Sequence, residues 1–324
     1  MVLVLLPDSS PSPRVVFKFG GTTVGTPERF RTVIALLNEA TTSGRVVAIV
    51  SALSDVSQQL SDAMEAFATR SDGRAVVETL VERLRRRHRT QAETVLSPTA
   101  TDEYAALLNE HLRALRQSFA EVDRSGFTPA LRDAVLATGE QLSVPMVTLA
   151  LRDAGVEAPH CDATRLVVTD DTFGEANVDR SATAERVRDW YRTLSPTAVP
   201  VVAGFIGATE AGRTTTLGFE GSDYSAALFA RILEARCVTR YTDVDGLYTA
   251  DPSVHDDAAR LDRLSMEDAF AMTESGDLGM HPKTLRPLAD ARIPMQVRSI
   301  VEPEQAGTQI LPNGVPTGAF WPSP

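Results

Sequence analysis

Val15-Val16-Phe17-Lys18-Phe19-Gly20-Gly21-Thr22-Thr23-Val24 is an apolar, β-branched run that breaks into a glycine pair, with a lysine just before its end. It reads as a strand that delivers one ammonium to a tight turn. Of the 32 basic residues in the chain only Lys18 and Lys283 are lysines. Arginine presents a broad planar fork and lysine a compact point charge on a slim stem, so a strand-end lysine beside glycines suits a narrow phosphate pocket. On this segment alone a surviving lysine at a strand edge is the bland alternative. Thr26-Pro27-Glu28 follows as a helix cap, a proline at the first helical position and an acid in the first turn, and Gly44 closes that helix before an apolar run at 46–51.

Further β-branched runs at 166–169, 199–206 and 237–242 alternate with stretches of helical periodicity, the pattern of an α/β fold with a parallel sheet covered by helices. From about 75 to 125 the chain reads as charged amphipathic helix, most basic at Val81–Arg89. Flanking acids and helix-spaced leucines make that run a solvated helix face rather than a nucleic-acid arm. After Ile300, Pro303, Gly307, Pro312, Gly314, Pro316, Gly318, Pro322 and Pro324 read as a tail without its own core.

With 324 residues and 43% apolar content the chain can bury a large core. A net charge of −11 argues against sequence-independent nucleic-acid binding, so local donors must hold any anionic ligand. Met1–Leu6 is too short for a membrane span and lacks a basic leading region, so residues 1–13 read as an appendage and no membrane partner is expected. Cys161 and Cys237 are the only cysteines and show no zinc spacing, so no protein metal site and a reduced, cytoplasmic setting are the defaults.

Polar groups gather where strands of such a sheet end and ligands bind. Val50-Ser51-Ala52-Leu53-Ser54-Asp55-Val56-Ser57 is rich in hydroxyls, and Glu140 in Thr138-Gly139-Glu140 opens an amphipathic stretch, where an acid also suits the helix dipole. Thr214–Leu217 leads through Gly218-Phe219-Glu220-Gly221 to Ser222-Asp223, either an anion-binding helix start or an ordinary capping pair. Tyr241-Thr242-Asp243-Val244-Asp245-Gly246-Leu247-Tyr248 is a strand with an acidic turn that lacks the closing glutamate of an EF-hand.

In this order the segments resemble the catalytic domain of aspartate kinases, within the amino-acid kinase family. The resemblance runs from about Val15 to Ile310. It rests on Lys18-Phe19-Gly20-Gly21-Thr22, Val50-Ser51-Ala52, Gly139-Glu140, Asp170-Asp171-Thr172-Phe173-Gly174, Gly221-Ser222-Asp223, the stretch from Tyr241 to Gly246 and on to Asp251-Pro252, and His281-Pro282. It implies a three-layer α/β/α sandwich with a mostly parallel central sheet. One kinase domain would span 14–310, with an amino-acid lobe at about 14–236, a mainly ATP-binding lobe at about 237–310, and a tail at 311–324.

The implied activity is Mg2+-dependent transfer of the ATP γ-phosphoryl group to the side-chain carboxylate of L-aspartate, for lysine, threonine and methionine synthesis. By the same resemblance Lys18 and the Gly20 and Gly21 amides hold the transferring group, and Asp223 organises the lysine and the metal nucleotide. Glu140 takes the substrate ammonium, Ser51, Ser57 and Ser222 line the substrate side, and Thr242, Asp243 and Tyr248 contact the nucleotide. A carboxylate of reference pKa about 3.9 is already an ionised nucleophile, so positioning and charge stabilisation carry the catalysis.

Several positions depart from the family pattern. Phe219 stands where an arginine usually clamps the substrate α-carboxylate, Ser253 and Leu278 replace cationic residues near the nucleotide, and Asp55 and Ser57 replace glycine and threonine. A charge-assisted hydrogen bond is worth about 1.5 to 3 kcal/mol, so aspartate should bind one to two powers of ten more weakly unless another arginine reaches in. A kinase for another carboxylate or small anion, and a catalytically weak relative that binds a partner enzyme, therefore stay beside the leading reading. Fourteen residues after Ile310 are too few for the small regulatory ACT domains that commonly follow. The expectation is insensitivity to lysine and threonine, with any homodimer formed through catalytic-domain surfaces.

Overall fold

A strand covered on both faces needs an unbroken apolar sequence, and β1 (Arg14–Phe19) is buried from Val15 to Phe19, Lys18 included. The computed structural model describes residues 14–69, 72–250, 255, 257–275 and 280–312. After β1 come α1 (Gly21–Val24), α2 (Pro27–Ala40), β2 (Arg45–Val50), α3 (Val56–Thr69), α4 (Gly73–Val95), α5 (Pro98–Ser125) and α6 (Pro129–Asp153). The middle of the chain forms β3 (His160–Cys161), β4 (Val168–Thr169), α7 (Arg180–Arg192), β5 (Val201–Ala203), β6 (Ile206–Thr209), β7 (Thr214–Thr216) and α8 (Gly221–Ile232). The rest comprises β8 (Cys237–Thr242), β9 (Leu247–Tyr248), β10 (Arg260–Leu261), β11 (Arg263–Ser265), α9 (Met266–Ser275), α10 (Pro282–Ala291), β12 (Met295–Ser299) and β13 (Thr308–Leu311).

Eight strands form the main sheet in the order β11-β13-β12-β8-β1-β2-β5-β3, and every pairing is parallel except β12 with β13. On one side α2 and α6 pack on the sheet, with α3, α4 and α5 gathered around α6; α8 covers β1, β2 and β8, backed by α7 and α10. This is the expected α/β/α sandwich. β1 pairs with β8 so that Phe19 lies beside Tyr241 and Lys18 beside Arg240. Because side chains alternate across a strand, Phe17, Phe19 and Tyr241 share one face, with Phe19 stacked on Tyr241 at 5.1 Å. Lys18 and Arg240 share the other.

Thr26 caps α2 through Arg29 N–H, with Pro27 in its first turn, as the sequence predicts. Other expectations need correction. The stretch 75–125 is two helices, because Ser97 accepts from Ala100 N–H and Pro98 restarts the helix, while Ser97 itself is bound to Asp153 at 2.7 and 2.8 Å. The run 199–206 divides into β5 and β6 at Gly204-Phe205, where Phe205 takes φ 68°. Thr308–Leu311 is not a coreless tail, since β13 pairs with both β11 and β12. Residues 1–13, Ser253, Leu278 and 313–324 lie outside the described residues.

The basic run in α4 behaves as a solvated face. Arg85 and Arg89 pair with Glu82 and Glu93, whereas Leu84 and His88 are buried. Only α6 is long and apolar enough to cross a membrane among the described helices, and 83% of that stretch is buried inside the protein, as for a core helix. It crosses the 51–54 segment so closely that a Cβ at Gly139 would stand 2.7 Å from Ala52 Cβ. An alanine in mid-helix gains about 1 kcal/mol of propensity, and overpacking costs about 1–3 kcal/mol. Gly139→Ala should therefore lower stability in urea unfolding; a stabilised variant would show that α6 moves freely at this crossing.

Candidate active site

The carboxyl ends of β1, β2 and β8 open into one cavity of about 930 Å³, also walled by α6 and by the turn that leads into α8. Such a place is where open α/β sheets bind ligands. Gly20 and Gly21 start α1, Gly221 starts α8, and neither helix has a side-chain cap. The N–H groups of Gly21, Thr22 and Ser222 are thereby left for an anion, while those of Gly221 and Asp223 bond Gly218 O and Glu220 O. Gly21 is required by contact: a Cβ there would lie 2.8 Å from Ala52 O, and Ser54 Oγ donates to Gly21 O at 2.9 Å.

At the floor, Lys18 Nζ donates to Asp223 Oδ2 at 2.9 Å, and Arg240 Nε stands 3.2 Å from Asp223 Oδ1. Lys18 and Asp223 are 6% and 3% exposed, so this charge cluster is largely removed from water. Burial lowers the Lys18 pKa, against the attraction of Asp223. For Asp223 burial pushes upward, but Arg240 and Lys18 together hold the carboxyl below its ordinary value. Asp223 stays ionised between two cations.

Glu140, on α6, is 3% exposed and its Oε2 has no hydrogen-bond partner. Burial pushes its pKa up to about 8, against the Ala52 backbone, its own backbone and the Lys18 charge. An orphaned buried carboxyl facing a cavity is a receptor for a cation or a donor. Nearby, Glu220 takes a left-handed φ of 54° ahead of α8, and its carboxylate accepts the His281 N–H. Burial raises its pKa as well, opposed by Arg240.

Two carboxylates hold the walls: Asp133, which the sequence motifs did not single out, and Asp170, which they contained without a role. Asp133 Oδ2 accepts Gly174 N–H at 2.9 Å and Thr216 N–H at 2.7 Å, while Oδ1 accepts Thr216 Oγ1 at 3.1 Å. Asp170 accepts from Thr172 and Asn177, and these bonds, led by the Asn177 side chain, bring its pKa to about 2. Together they shape the 170–177 loop, from which Gly174 lines the cavity.

Lys18, Gly20, Gly21, Ser51, Ser57, Glu140, Ser222, Asp223, Thr242 and Asp243 all line this cavity. Tyr248 does not: it sits on β9 with its hydroxyl on Asp245 at 2.7 Å. Asp243 approaches Thr22 and Thr242 at 3.2 Å each and Arg29 at 3.9 Å, tying the glycine turn to the end of β8. Lys283 lies on α10 and donates to Leu217 O, so it props the turn before α8 rather than lining the cavity. Arg132, Glu220 and Arg240 line it unannounced. The one available signal was Arg240, an arginine inside a strand of otherwise buried pattern.

Residues 13–299 match the sequence model of the amino acid kinase family. Lysine-sensitive aspartokinase 3 of Escherichia coli is 32% identical over 300 residues, covering 91% of this chain and 64% of that protein. The chloroplastic bifunctional aspartokinase/homoserine dehydrogenase 2 of Arabidopsis thaliana is 31% identical over 299 residues, 91% of this chain and 32% of that protein. The crystal structure of E. coli aspartokinase III in complex with aspartate and ADP (R-state) matches with TM-score 0.83 at 30% identity, covering 93% of this chain and 65% of that one. The chain thus spans between about a third and two thirds of the length of these relatives.

The state of Glu140 has a thermodynamic consequence. Its folded pKa of about 8 exceeds the unfolded value of about 4.3, so the folded protein holds an extra proton between those limits. Stability must fall as pH rises through that window, by up to about 1.4 kcal/mol per pH unit. Urea unfolding at pH 5 and pH 8 should show a larger loss for the wild type than for Glu140→Gln. Parallel pH profiles would mean that Glu140 is ionised or solvated in the folded state.

Proposed function

Because the chain belongs to the amino acid kinase family, we propose that it transfers the γ-phosphoryl group of ATP to the side-chain carboxylate of L-aspartate. The observation that carries this reading is the pairing, in one cavity, of the buried Lys18–Asp223 contact with the unpaired Oε2 of Glu140. A cation set against a carboxylate beside uncapped helix starts suits a phosphoryl group in transfer. A buried acid with one oxygen unpaired suits the ammonium of an amino acid. Similarity to an aspartokinase crystallised with aspartate and ADP supports both substrates.

In the proposed reaction an oxygen of the ionised aspartate side chain attacks the γ-phosphorus. The new O–P bond forms as the bond to the β,γ-bridging oxygen breaks, and ADP leaves with that electron pair. No proton needs to be removed, since the nucleophile is already a carboxylate. Lys18 and the Gly20 and Gly21 amides neutralise the equatorial oxygens, where charge is spread in the transition state. Asp223 holds Lys18 in place, with Arg240 on its other oxygen.

Glu140 takes the ammonium and becomes ionised by it, while Ser51, Ser57 and Ser222 line the acceptor side. Thr242 and Asp243 border the nucleotide side, and Tyr248 is left out of it. Mg2+ would neutralise nucleotide phosphate charge. Mg2+ is commonly held by one or two carboxylates and the substrate phosphates, and Asp223, paired with Lys18, is the carboxylate that would hold it here.

With ATP, Mg2+ and L-aspartate, hydroxylamine trapping should yield a hydroxamate. Its absence from folded protein at high substrate, with another acid active in its place, would sink the aspartate reading. Lys18→Met should lower turnover by a factor of about 100 or more, as for loss of a main transition-state donor. Lys18→Arg should not rescue it, because the slot is buried and Arg240 already fills the other side of Asp223. Near-normal turnover of the arginine variant would remove Lys18 from the phosphoryl site.

A further inference from the structure

α6 carries charges of both signs into the cavity. Glu140 lines it with an orphaned buried oxygen, and Arg132, exposed and two turns earlier, lines it as well. Leu136 lies between them on the same wall, so the three occupy one stripe of the helix at i, i+4 and i+8. The helical rise separates the Arg132 and Glu140 backbones by about 12 Å. Both residues border the same cavity, and both side chains are long enough to close that span onto a small zwitterion.

Among the described residues three cations border the cavity. Lys18 and Arg240 face Asp223 at the floor, whereas the Arg132 guanidinium makes no ion pair or hydrogen bond among the described residues, and its backbone N–H is bonded to Thr128 O at 3.0 Å. Its anchorage is nevertheless firm. The adjacent Asp133 is fully buried and bonded to Gly174 and Thr216, which themselves line the cavity, so the first turns of α6 are fixed against the wall. In the turn before α8, Phe219, 76% exposed, lines the same cavity with a side chain that has no donor.

We propose that Arg132 binds the α-carboxylate of the amino-acid acceptor while Glu140 binds its ammonium, making α6 the element that selects α-amino acids over simple carboxylates. The inference rests on the phosphorylation of an amino acid argued above. Arg132 is then a substrate-binding residue that acts on affinity, remote from the phosphoryl group.

Calorimetry with L-aspartate and with its α-amide, in the presence of a non-hydrolysable ATP analogue, tests the clamp without turnover. Arg132→Gln should weaken L-aspartate about ten- to hundredfold, the range for one lost charge-assisted contact. The α-amide and the nucleotide should bind as to wild type, and Arg132→Lys should retain part of the aspartate affinity. Adding Phe219→Arg to Arg132→Gln should restore part of it from the turn before α8, which no purely structural role of Arg132 predicts. Equal losses for the two ligands, no loss for either, or no aspartate binding by wild type would overturn the proposal. The kinase reading fails separately: Arg132-dependent binding without hydroxamate leaves the clamp standing and removes the aspartyl phosphate, whereas hydroxamate formation with a KM indifferent to Arg132→Gln does the reverse.

Discussion

The buried contact of Asp223 with Lys18 on one oxygen and Arg240 near the other is the constraint on which the rest of the site depends. Three elements end at it: β1 supplies the lysine, β8 the arginine and α8 the aspartate. Taking such charges out of water costs several kcal/mol per ion, and removing one partner leaves another buried without compensation. The cluster therefore contributes position more than net stability. It sets the start of α8 over the ends of β1 and β8, and that juxtaposition forms the cavity floor.

The same economy explains the glycines and the strained turn around it. Gly21 and Gly139 permit contacts with the 51–54 segment that any side chain would obstruct, and Gly204 allows Ser222 to approach, since a Cβ there would lie 2.6 Å from Ser222 Cβ. Glu220 holds an unfavourable left-handed backbone, retained by its bond to the His281 N–H. Strain and unsatisfied polarity, Glu140 above all, are concentrated at one place, where local preference yields to a site built for a ligand.

Much of this was legible before any coordinates. The alternation of β-branched runs with helical stretches announced a parallel sheet covered by helices, Thr26-Pro27-Glu28 marked the start of α2, and ten of the eleven site residues implied by the family resemblance line one cavity. Tyr248 fell outside because a two-residue strand turns its hydroxyl to Asp245. The break between α4 and α5 lay in plain sight at Ser97-Pro98, but continuous charge periodicity concealed it. β13 was hidden by surrounding prolines and glycines, although its pairing with β11 and β12 needs only four residues.

The sequence by itself determined the parallel core and the order of its polar strand ends, because burial on both faces demands unbroken apolar runs and tight turns demand glycine. It also singled out Lys18, since a chain that uses arginine almost everywhere had a compact ammonium at a strand end. Only the tertiary structure decided which distant charges meet. Arg240 reaches Asp223 through strand register, Asp133 fastens α6 to β7 across the fold, and Arg132 joins Glu140 in one cavity because α6 lies along its wall. Local periodicity says which face of an element is buried, but the partners across that face are set by packing, at sequence separations that no local pattern records.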